Sequence, residues 1–179
     1  MAIPFVRSPN FTAAEDRTID VVVIHTMEIG ERTDAARICA RWFESPASQV
    51  SAHYCVDAEE VVQCVEEADI AWHARGGNTG SIGVELAGMA GQGRRDWADA
   101  YSQAVLDRAA ELVADIAKRH KVPVTKLGAT ALREGRRGFA GHSDVSEAWK
   151  KSDHWDPGPG FPWTDFLARV RAMREPVEF

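Results

Sequence analysis

Apolar residues recur along the chain with two different periods, and the changes between them outline a fold. Val21-Val22-Val23-Ile24 is an unbroken β-branched run, the pattern of a strand covered on both faces. Ala35, Ile38, Cys39 and Trp42, with Phe43 beside them, follow helical spacing. Thr33 or Asp34 is placed to cap that helix, and Pro46 lies just past its end. Ser51 to Val56 and Val61 to Val65 flank Asp57-Ala58-Glu59-Glu60 and predict a hairpin whose turn lacks the usual glycine. Ser81 to Leu86 predicts another short strand. Val105, Leu106, Ala109, Leu112, Val113, Ile116 and Ala117 predict a long amphipathic helix ending near His120, and Trp163, Phe166, Leu167 and Val170 a final one. Polar, glycine-rich stretches at Arg75–Gly80, Gly88–Arg95 and Gly128–Gly141 read as loops, none biased enough to be a linker. The order predicts an α/β fold: a mixed central sheet flanked by helices, one domain over residues 1–179.

Composition narrows the partners. With 45% apolar and 27% charged residues the chain has the balance of a globular protein. A net charge of −6 argues against a large nucleic-acid footprint, which needs clustered Lys and Arg. Cys39, Cys55 and Cys64 are odd in number and lack C-x-x-C spacing, so they read as buried small hydrophobes. Met1 to Arg7 has no basic segment followed by an apolar run, and no stretch reaches membrane-spanning length. The expectation is a protein folded in a cytoplasm, without membrane insertion. Six Trp is a high count, and core packing or the lining of a groove both account for it.

The usual catalytic signatures are missing: there is no G-x-S-x-G elbow, P-loop or H-E-x-x-H helix. His142-Ser143-Asp144 is not a triad, because adjacent residues project in different directions. What remains is a set of histidines and carboxylates at the ends of elements. His25 terminates the buried strand, His142 follows a glycine-rich loop, and Asp156 sits in His154-Trp155-Asp156-Pro157-Gly158-Pro159-Gly160, a turn stiffened by two prolines. Two His and one carboxylate are a standard set for a hydrolytic zinc site with an open position.

Four segments, in order, resemble the second zinc type of N-acetylmuramoyl-L-alanine amidase, a family sharing its fold with phage T7 lysozyme and the peptidoglycan recognition proteins. They are Val22-Val23-Ile24-His25-Thr26, the run Val50 to Asp57, and Ala71-Trp72-His73-Ala74 followed by Asn78 and Ser81 to Gly88. The fourth is Gly141 to Val145 together with Asp156-Pro157-Gly158-Pro159. The resemblance runs from about residue 20 to 163. It implies Zn²⁺ held by His25, His142 and Asp156, with Glu85 activating the attacking water. It places His53, Tyr54, His73 and Asn78 among substrate-groove positions. Many relatives carry a Lys two residues before the third ligand; His154 stands there, and takes the expected role of oxyanion stabiliser, with Lys150 or Lys151 in reserve. Ala52 occupies the place of a catalytic tyrosine of phage T7 lysozyme, and a period of two predicts Tyr54 on the same strand face.

The activity implied is hydrolysis of the amide between N-acetylmuramic acid and L-alanine, with peptidoglycan or muropeptides as partner and a monomer as the working form. A non-catalytic muropeptide-recognition module is the rival, and retention of the third ligand together with Glu85 argues against it. The expected setting is an endolysin, made in a host cytoplasm and reaching the wall through a holin. A cytosolic muropeptide-recycling amidase is the alternative.

Overall fold

The computed structural model describes residues 3–174; Met1 and Ala2, the start of the segment read as lacking a leader, lie outside the described residues. In chain order the elements are β1 (Phe11–Thr12), β2 (Val21–Thr26), α1 (Ala35–Glu44), β3 (Tyr54–Val56), β4 (Val61–Gln63), β5 (Ile70–Ala71), β6 (Ser81–Leu86), α2 (Ala100–Arg119), α3 (Ala129–Arg133), β7 (Gly138–Gly141), α4 (His142–Trp149) and α5 (Trp163–Arg174). Five strands form one mixed sheet in the order β4-β3-β6-β2-β7. β2 runs parallel to both β6 and β7, and β3 runs parallel to β6, while β3 and β4 form the antiparallel hairpin. This is the predicted architecture, with the β-branched run in the interior of the sheet.

Alternation along the strands sorts side chains onto two faces. Val22 and Ile24 of β2, Ile82, Val84 and Leu86 of β6, and Phe139 of β7 pack in one cluster with α2 and α5. On the other face, Val23 and Ala140 pack with α3 and α4, and Cys55 and Val62 pack with α1. His25 and Glu85 share the parity of Val23 and Gly83 and stand opposite each other in register. They therefore face the gap between α1 and the α3/α4 pair, at the carboxyl ends of parallel strands where open α/β sheets place their ligands.

Several local details differ from the expected ones. The hairpin turn has no glycine because Asp57 replaces it: Oδ1 accepts from the Glu59 and Glu60 amides, each at 2.8 Å. The other oxygen, Oδ2, accepts from Ala36 N at 2.9 Å, so Asp57 caps α1 while the expected cap Asp34 makes no capping bond. On α1 the buried stripe is Ala36, Cys39, Ala40 and Phe43, and Trp42 is 56% exposed. The stretch Gly128–Gly141, read as a loop, holds α3 and β7. Short helices and small-residue strands such as Gly-Phe-Ala-Gly carry too few apolar positions to show a period. Ala52 and Tyr54 are not on one face. A bend at His53 precedes β3, leaving Ala52 with the α1 cluster and Tyr54 with the α2 cluster. The three cysteines are buried and free.

Candidate metal centre and active-site cleft

Three segments converge on the gap. β2 delivers His25 near its end. β7 ends at Gly141, and His142 is the first residue of α4, so the strand-to-helix turn sets its position. Asp144 reaches back from the first turn to accept from Gly141 N at 2.7 Å and is held by Lys126 Nζ at 2.6 Å. That gives the third residue of His-Ser-Asp a capping task. Asp156 is tied to the same helix start, since Ser143 N donates to its carbonyl at 3.0 Å. The glycines after it are forced by contact: a Cβ on Gly158 would lie 1.9 Å from Ala90 O, and one on Gly160 2.1 Å from Gln92 O.

The result is a buried trio. One ligand atom each from His25, His142 and Asp156 lies within 4.8 Å of the others. His25 Nδ1 is 3.1 Å from Asp156 Oδ2, and His142 Nδ1 is 3.3 Å from Asp156 Oδ1. Burial opposes the Asp156 charge, but the imidazoles of His142 and His25 facing it outweigh burial and hold the carboxyl well below its usual range. Burial keeps His142 below the ordinary imidazole value, leaving a neutral ring able to donate a lone pair. Two imidazole nitrogens and a carboxylate with an open side toward the cleft suit a divalent transition metal. Glu85 Oε1 stands 3.9 Å from His25 Nδ1. Burial, then Asp156 and Glu28 nearby, push its carboxyl well above the ordinary range.

A cleft of about 370 Å³ opens over the trio, lined among others by Glu28, Trp42, Trp72, His73, Glu85, His154 and Trp155. It adjoins a second cavity of about 660 Å³, which shares Trp72, His73, His142 and His154 and adds Asn78 and Lys151. His154 stacks on His142, with ring centroids 4.3 Å apart and planes at 7°, and its side chain is 61% exposed. Trp42, Trp72 and Trp155 are the exposed tryptophans, and all three line this cleft.

Two residues expected at the groove are placed elsewhere. Tyr54 donates its hydroxyl to Glu67 at 2.8 Å on the α2 side of the sheet. His53 is fully buried: its Nδ1 accepts from Gly83 N at 3.0 Å and its Nε2 lies 3.2 Å from Asp69 O. Burial and then Arg17 lower His53 to about 3, so it is a neutral strap between strand and loop. Asn78 lines the second cavity, yet its Oδ1 also accepts from Ala74 N at 2.6 Å and fixes the loop after Trp72. Glu28 was missed from the sequence, although it lies only three residues after His25. Thr26 Oγ1 and Ala90 N both donate to its Oε1.

A family model described as N-acetylmuramoyl-L-alanine amidase matches residues 15–159. The chain belongs to this family. N-acetylmuramoyl-L-alanine amidase A of Achromobacter lyticus is 30% identical over 167 residues, covering 89% of this chain and 86% of that protein. Among solved structures, Staphylococcus aureus hydrolase AmiA in complex with its ligand superimposes with a TM-score of 0.74 at 16% identity, covering 97% of this chain and 83% of that one. The catalytic domain of XlyA superimposes with a TM-score of 0.65 at 19% identity, covering 95% and 99%. The two structures share the fold. The family and the Achromobacter relative support a peptidoglycan amidase activity for this chain.

Proposed function

We propose that the chain is a zinc-dependent N-acetylmuramoyl-L-alanine amidase, with His25, His142 and Asp156 as the metal ligands. The convergence of those three ligand atoms at the floor of an open cleft, beside the protonatable carboxyl of Glu85, carries this reading. When bound, zinc supplies Lewis-acid polarisation of the amide carbonyl and acidifies water to a pKa of roughly 7. Glu85 accepts the proton of the attacking water and returns one to the departing L-alanine amine. His154, on the cleft rim over His142, donates an N–H toward the lactyl carbonyl oxygen as charge develops there. One chain supplies every ligand and the base, in keeping with a monomer acting as a single catalytic unit.

The two adjoining cavities and the exposed tryptophans on the cleft suit an extended polymer, so we read the intact wall as the substrate and the setting as endolysin-type lysis. Incubation with purified sacculi, followed by mass spectrometry of the released ends, tests the bond. New muramic acid carboxyls and L-alanine amines are expected; cleavage at any other bond refutes the reading. Faster turnover of soluble muropeptides than of sacculi would favour the recycling alternative.

A further inference from the structure

His73 was expected to touch substrate, but its hydrogen bonds run inward. Its Nδ1 is 3.0 Å from His25 Nε2, and its Nε2 is 3.0 Å from Ser81 Oγ. Ser81 Oγ in turn lies 2.7 Å from Gly77 O. The direction of every proton in this chain follows from its last member. A carbonyl only accepts, so the single hydroxyl proton of Ser81 points at Gly77. Ser81 Oγ must then accept from His73 Nε2–H. The neutral ring has one proton, so His73 Nδ1 is bare and accepts from His25 Nε2–H. The same order follows from the other end: an imidazole that gives Nδ1 to a metal keeps its proton on Nε2, so His25 donates and His73 Nδ1 accepts.

Resting on the reading above, we propose that His73 is a positioning residue: with Ser81 it locks His25 as the tautomer whose Nδ1 lone pair faces the metal. Metal-bound histidines commonly direct the second nitrogen to a carboxylate, carbonyl or water. Here a second imidazole serves, and a serine hydroxyl ends the relay on the backbone. A neutral relay adds no charge to a site that already holds Asp156 and Glu85. The fold makes room for it at Gly83, where a Cβ would lie 2.5 Å from His73 Cγ, so the ring lies directly against the strand that carries Glu85. His53 pins the same glycine through its amide. The glycine of Ser-Ile-Gly-Val-Glu is thereby explained by the imidazole stacked over it.

The test measures zinc affinity by competition with a chromophoric chelator, alongside ¹⁵N spectra of the imidazoles in the zinc-loaded wild type. His73→Phe keeps the ring volume and removes the acceptor; a 10–100-fold weaker zinc affinity is expected with the circular-dichroism spectrum unchanged. His73→Gln, whose side-chain oxygen can accept the same N–H, recovers part of the loss. Ser81→Ala gives a smaller loss and retains the relay's first bond. The wild-type spectra are expected to show both His25 and His73 protonated at Nε2, a readout that needs no variant to fold. Zinc affinity of His73→Phe within twofold of wild type, even with KM raised, overturns the proposal and makes His73 a substrate contact. A proton on His73 Nδ1 overturns it too. Wild type that holds no zinc overturns the underlying metal assignment, a failure visible before any variant is compared.

Discussion

Glu85 and His154 are separated chemically by their surroundings. Glu85 lies against buried Asp156 and His25, where desolvation makes its carboxylate more basic than an exposed one and suits it to taking up a proton. Glu85→Gln keeps the shape and loses the basicity. Zinc content is expected to stay near one per chain while turnover falls on the order of 10²–10⁴; full activity would move Glu85 to a structural role. His154 lines the cleft, stacks on His142 and approaches Asp156 Oδ1 to 3.7 Å. His154→Ala is expected to lower turnover by roughly 10²–10³ with KM little changed, the scale for loss of one oxyanion donor. His154→Lys, which restores the donor of the relatives, should recover much of it. An alanine variant within twofold of wild type at saturating substrate would transfer the role to another group, with Lys151, which lines the second cavity, the next candidate.

At the scale of elements, Glu67 ties the hairpin edge of the sheet to the end of α2. It receives Tyr54 Oη at 2.8 Å, Arg119 Nη1 at 2.5 Å and His120 Nε2 at 2.6 Å. Burial disfavours its charge, but Arg119, His120 and Tyr54 outweigh burial and bring its pKa from 4.5 to about 2. A carboxyl depressed on folding stabilises the fold above its unfolded pKa, and that stability is lost as pH falls through the folded value. Wild type should therefore lose stability between about pH 5 and pH 2 from this group, by roughly 1–3 kcal/mol once screening at the exposed Arg119 is allowed for. Urea unfolding of Glu67→Gln should show lower stability at pH 7 and a flatter acid limb. Parallel acid limbs in the two proteins would remove Glu67 as the cause. α5 is held differently, by Phe166, Leu167 and Val170 in the α2 cluster. Phe166→Ala should cost about 3–5 kcal/mol by opening a cavity that the two helices cannot close; a loss below 1 kcal/mol would show that α5 contributes little to the fold.

For the whole molecule, the metal assignment makes a statement about stability as well as rate. His25, His142 and Asp156 come from β2, α4 and the turn before α5, and are brought together only by the folded sheet. A ligand that binds the native state alone raises its stability by mass action. Removing zinc with a chelator should lower Tm, and stoichiometric zinc should restore it; in His142→Ala neither treatment should move Tm. Equal Tm values for metal-free and zinc-loaded wild type would contradict the site. Lower Tm without zinc, by contrast, would show that the folded state binds the ion.

Sequence patterning alone determined the elements with strong periodicity, namely the interior strand at Val21–Ile24, the hairpin, the long helix α2 and the last helix α5. Those runs bury whole faces, and burial writes a period into the chain. Patterning made His25, His142 and Asp156 candidates by placing them at a strand end, after a glycine-rich loop and in a proline-stiffened turn, and the resemblance to the amidase family joined them into one ligand set. Tertiary structure decided what periodicity cannot carry. α3 and β7 are too short and too rich in small residues to show a period, and they form because neighbours cover them. The direction of Tyr54 turns on one bend at His53, which reverses strand parity and sends the phenol to Glu67. His73 and His53 read alike as polar positions in a line of sequence. Only contacts 8 to 48 residues apart, to Ser81, Gly83 and His25, separate an imidazole aimed at the metal ligand from one that straps the sheet. Proton direction along a hydrogen-bond chain is a property of partners, and partners are fixed in space.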